Sequence, residues 1–123
     1  MNNDSSNPLP SALDAEKHIL SCMLIDPDNL IGQVRGKLKA DDFHLPAHRL
    51  LFELILEKQD ARLPVEMFSL MQTLLDRDQL NEFGGGAQLT ELLSFSQGIQ
   101  WEWYADVVLD KAARRRGMLQ MSA

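Results

Sequence analysis

The chain has 123 residues, 45% of them hydrophobic and 24% charged, an ordinary globular mixture that argues against disorder or a fibrous repeat and allows one compact core. Twelve Lys plus Arg against 18 Asp plus Glu give a net charge of -6, which opposes the phosphate neutralisation behind nucleic-acid affinity, so no direct DNA grip is expected. Cys22 is the only cysteine, which excludes an intramolecular disulfide and a cysteine-based metal cluster; no apolar run approaches the ~18 residues of a membrane crossing and the polar N-terminus is unlike a secretory signal, so a cytoplasmic protein is expected.

Residues 1–10 read as a polar lead closed by Pro8 and Pro10. Ser11 and Asp14 form a capping pair, after which Ala12, Ala15, Ile19, Leu20, Met23 and Leu24 fall on one face of a first helix. Asp26-Pro27 supplies a cap and a proline suited to the first helical position. A short second helix carrying Leu30, Ile31 and Val34 follows and ends near Gly36. Leu38 to Leu45 reads as a connecting loop. Pro46 opens a third helix with Leu51, Phe52, Ile55 and Leu56 as its stripe, ending near Gln59.

Pro64-Val65-Glu66 starts a fourth helix with Met67, Leu70, Met71, Leu74 and Leu75 inward, and Arg77-Asp78-Gln79 turns the chain out of it. Gly84-Gly85-Gly86 can adopt positive backbone angles before a fifth helix carrying Leu89, Leu92 and Leu93, which Gly98 breaks. A last helix runs from about Trp101 to Met118. With no alternating strand pattern, the fold class is all-α, a compact bundle of about six helices. Its expected core joins Leu20, Met23, Leu24, Leu51, Phe52, Ile55, Leu70, Leu74 and Leu92.

Catalytic signatures are missing. His44 and His48 stand four apart beside Asp41 and Asp42, but Pro46 disfavours a helical Leu45 and no Glu lies between the imidazoles in a His-Glu-x-x-His arrangement. A hydrogen-bonded His48 at a helix start and a capping Asp42 are expected, and no metal. The glycine run lacks the Lys-Ser/Thr that completes a phosphate loop, so neither ATP binding nor any other cofactor is expected. No Gly-x-Ser-x-Gly elbow occurs, and Cys22 lies inside a helical apolar pattern as a small hydrophobe. Phe43, Phe52, Phe83 and Trp101 are not interleaved with basic residues, which favours core packing over base stacking. Catalytic residues are therefore expected to be none.

Several short patterns recur in a fixed order: Ala15-Glu16; Met23-Leu24-Ile25-Asp26-Pro27; Asp41-Asp42-Phe43-His44; Pro46-Ala47-His48-Arg49-Leu50-Leu51-Phe52; Leu63-Pro64-Val65-Glu66; Leu80-Asn81-Glu82-Phe83-Gly84-Gly85; and Tyr104-Ala105-Asp106-Val107-Val108. The ordered set resembles the N-terminal domain of DnaB-type replicative helicases, from about Pro8 to Arg116. The resemblance implies a helical head over residues 11–98 and the first arm of a helical hairpin over residues 99–123, with the nucleotide-binding motor of the ATP-dependent helicase absent, as in a piece of a longer protein. It also implies a non-catalytic role: pairing through the hairpin, a hexameric collar, and contact with primase and, in some systems, a helicase loader. Gly86, Gln88, Cys22 and Gly117 depart from the residues usual in the family. The rival reading is a stand-alone helical adaptor or regulator that binds a helicase or primase.

The last helix carries the candidate interface. Trp101, Tyr104, Val108 and Ala112 lie at spacings of three and four, an apolar stripe to be covered either by the head of the same chain or by a second copy, the latter being what the resemblance implies. Lys111 and Arg115 complete the set. With Arg114 and Arg116 they form the one basic cluster, read either as a solvated helix end that suits the helix dipole or as a docking patch for an acidic partner or a DNA backbone.

Overall fold

The computed structural model describes residues 12–95 and 100–121, with side chains through residue 117. The lead over residues 1–10, the Ser11–Asp14 cap and the break at Gly98 lie outside the described residues. Six helices follow in order: α1 (Ala12–Ile25), α2 (Pro27–Lys37), α3 (Pro46–Asp60), α4 (Met67–Asp76), α5 (Gly86–Leu93) and α6 (Trp101–Met121). No strand occurs among the described residues, and none of their helices is long and apolar enough to cross a membrane. The all-α class holds. Two short 3-10 turns, Ala40–Asp42 and Leu80–Phe83, break up what the sequence presents as plain connections.

Local chemistry explains the boundaries. Pro27 and Pro46 sit at helix starts, where a missing N–H costs nothing, and Leu45 is extended as a residue before proline must be. Asp26 does not cap through its carboxylate; that group accepts from the Asn29 side-chain amide at 2.9 Å instead. Glu66 caps α4, its Oε1 accepting the Ser69 N–H at 3.0 Å. Asp42 closes its turn by accepting the Lys39 N–H at 2.8 Å, the capping role expected of it. Gly84 and Gly85 have φ of 87° and 104°, angles that strain a side chain, and so let the chain reverse into α5. Gly86 is already helical.

The core forms where α1 meets α3, α5 and α6, with α1 packed most extensively on α6. Of the expected core, Leu20, Met23, Leu51, Phe52, Ile55, Leu70 and Leu74 are buried together, while Leu24 and Leu92 pack half-buried at its edge. Phe43 and Phe52 meet with ring centroids 4.9 Å apart, the core packing expected of both, so the connection between α2 and α3 turns Phe43 inward while Lys39, Asp41 and His44 stay exposed. Leu75 is corrected: it is 58% exposed, and its neighbour on that side, Phe68, is 73% exposed. Leu70 and Leu74 already occupy the inward line of this ten-residue helix, and Leu75 lies a further 100° round the axis.

Candidate interaction surface

α6 meets the head from Trp101 to Arg116. Trp101, Ala105 and Val108 belong to the core cluster, at 8%, 0% and 1% exposure, and Ala112 is fully buried. The apolar stripe foreseen on this helix is thus covered within the chain, chiefly by α1. Tyr104 is half-buried and stacks on His18 of α1, with ring centroids 3.7 Å apart and planes inclined by 23°. Lys111 is exposed and Arg115 half-buried.

Polar contacts fasten the same helix at three further points. Lys37 at the end of α2 pairs with Asp106 at 2.9 Å. Arg115 donates to the Asp42 carbonyl at 3.1 Å, and Arg116 donates to the Asp42 carboxylate at 3.0 Å and to the Asp41 carbonyl at 3.4 Å. These two arginines reach carbonyls left over by the 3-10 turn, contacts that the reading of the cluster from sequence did not include. Arg114 turns back on Asp110, four residues before it, at 3.0 Å. Sequence reasoning missed this clasp because its partners lie 73 to 75 residues apart.

A second buried network locks α1 to the start of α3. Glu16 Oε1 lies 2.6 Å from His48 Nδ1, and Oε2 accepts the His44 N–H at 2.6 Å. The Glu16 and His48 side chains are only 1% and 3% exposed. Arg49 closes the segment by donating through Nε to the Phe43 carbonyl at 2.7 Å. The signal for Glu16 was present in the sequence, since a carboxylate on the face of Ala12, Ile19 and Leu20 must find a partner on burial. With both carboxylate oxygens engaged, the pair ties α1 to the start of α3.

Other candidates for chemistry are placed with equal clarity. His48 is buried against Glu16 whereas His44 is exposed, so the two imidazoles do not converge. Among the described residues no group of three or more His, Cys, Asp or Glu is placed to hold a metal ion. The Cys22 thiol is buried and donates to the Ile19 carbonyl at 3.1 Å; burial first, then the nearby Glu102 carboxylate, pushes its pKa up to about 12, far from the range of a reactive thiolate.

Comparison with known proteins places this architecture. Residues 8–110 match the DnaB-like helicase N terminal domain family. The replicative DNA helicase DnaB of Synechocystis sp. is 30% identical over 115 residues, which is 91% of this chain and 13% of that protein. Its counterpart from Geobacillus stearothermophilus is 31% identical over 108 residues, 87% of this chain and 24% of that protein. The chain therefore spans a quarter or less of these relatives. Among solved structures, the N-terminal domain of DnaB helicase from Mycobacterium tuberculosis superposes with a TM-score of 0.81 at 30% identity, covering 89% of this chain and 80% of that one. The corresponding domain from Helicobacter pylori, described with its interactions with primase, gives a TM-score of 0.77 at 20% identity over 90% of this chain and 86% of that one, a likeness of fold alone. On this order of helices, this core and this matched stretch, the chain belongs to the DnaB-like helicase N-terminal domain family.

Proposed function

We propose that this chain serves DNA replication as the assembly and docking domain of a replicative helicase, pairing with its own copies toward a hexameric collar and receiving primase, with a helicase loader as a further partner, in the cytoplasm. The observation that supports this best is the anchorage of α6: a long helix fixed to a rigid head by Trp101, Val108, the Lys37–Asp106 pair and the arginine clasp is a stable platform for other chains. The buried Glu16–His48 pair and the Asp42 carboxylate are engaged in holding that platform together, which leaves recognition to the surface. Self-association then uses the solvent side of α6, where Lys111 is exposed and Trp103 is 47% exposed, with Tyr104 and Arg115 at its edge. The acidic balance of -6 supports protein partners over direct contact with DNA.

Sedimentation velocity over a concentration series, alone and with the primase of the same replication system, tests the reading. A reversible shift to a dimer that Trp103→Asp abolishes, together with a primase complex, is the expected result. A strict monomer that ignores primase at every concentration overturns it.

A further inference from the structure

A cleft of about 390 Å³ opens between α1, the first turn of α3, the 3-10 turn at Leu80–Phe83 and α5. Leu45, Phe83, Leu92 and Phe95 give it an apolar lining, and Phe95 is 46% exposed, so apolar surface in the cleft is open to a partner. Two carboxylates, Glu82 and Glu91, share the lining. Both are exposed, and neither is ion-paired with a described residue, in contrast to Glu57, Asp60, Asp106 and Asp110, each of which faces a Lys or Arg. The cleft's lysine, Lys17, is held over the Phe95 ring at 5.6 Å from its centroid and not against the carboxylates.

We infer that this cleft is a docking site for an amphipathic helix of a partner protein, one that seats a Leu- or Phe-type side chain in the apolar lining and brings Lys or Arg one turn away to Glu82 and Glu91. The inference rests on the reading of the chain as a docking domain and specifies a surface for it. Charge complementarity selects the occupant. Nucleic acid is repelled by the two carboxylates. Self-association is assigned above to the solvent side of α6, which leaves this cleft to a different partner. A small polar substrate needs convergent buried donors and acceptors, yet the one buried polar side chain in the lining is His48, whose Nδ1 is already engaged by Glu16. An apolar anchor within a basic helix face meets both halves of the site, and apolar anchors seated in such pockets dominate helix-in-groove recognition.

The test is a nitrogen-15 NMR titration of the whole chain with two synthetic helical peptides of one pattern, one of Leu, Ala and Lys and the other of Leu, Ala and Glu. The Lys peptide should saturate with shifts confined to amides near Ala47, Phe83, Gln88, Glu91 and Leu92, and the Glu peptide should not bind. The double variant Glu82→Lys, Glu91→Lys should lose affinity by about tenfold or more. Ala47→Trp, which fills the cleft without adding charge, should do the same while keeping the wild-type spectrum elsewhere. Shifts scattered over the surface, equal binding of both peptides, or full affinity in Ala47→Trp would each overturn the site. A chain that binds primase yet takes no peptide in the cleft rejects the site alone. One that seats the Lys peptide but ignores primase keeps the site and rejects the wider function.

Discussion

Glu16 sits among apolar neighbours on α1 because two groups from the segment leading into α3 come to meet it, the His44 amide and the His48 imidazole. Removing the carboxylate leaves both groups without their partner, the imidazole in a buried position. Glu16→Leu should therefore cost about 3 kcal/mol in urea unfolding, more than the exposed Glu53→Leu on α3. At Cys22 the folded state keeps the thiol neutral up to about pH 12, against an ordinary value of 9.0. The unfolded chain loses that proton first, so the thiol's contribution is intact below pH 9 and declines as pH rises from 9 to 12. Unfolding midpoints of the wild type and Cys22→Ala should accordingly converge across that window. The roles of Asp42 and His48 were legible in sequence because a cap and a helix-start histidine are local matters. The partner of His48 was not, since Glu16 lies 32 residues away.

The helices themselves were legible, and for a physical reason: Pro27, Pro46 and the Gly84-Gly85 pair punctuate the chain where no other residue does so cheaply. The 3-10 turns were not, because three or four residues carry no periodicity to read. Phe68 and Leu75 show a similar limit, as spacing alone says which residues share a face but not which face turns inward. On α6 the inward face is now fixed by Val108, and Val108→Asp buries an unpaired charge inside the head. It should destabilise the monomer by at least about 3 kcal/mol, whereas Trp103→Asp on the open side should leave the melting temperature nearly unchanged; circular dichroism melts distinguish the two. In α2, Gly32 is helical and exposed, and a Cβ there would meet nothing within 4 Å. Gly32→Ala should add roughly 0.5–1 kcal/mol, read from the same melts.

At the scale of the molecule, sequence spacing carried the fold class and most of the core. It left the interface open because an apolar stripe looks alike whether its own chain or another covers it. The stripe of α6 turned inward, and its closest packing is with α1, at the opposite end of the described chain. This pairing has a consequence for biosynthesis. As the ribosome extends the polypeptide, Ala15, Ile19 and Met23 emerge early, and the helix that shelters them is completed only after Val108. At elongation rates of roughly 5–20 residues per second that interval is on the order of ten seconds, during which α1 has only α2, α3 and α5 to pack on. The earlier helices can gather on α1 as they appear, but its α6-facing side closes only in a late step, once the last helix is complete.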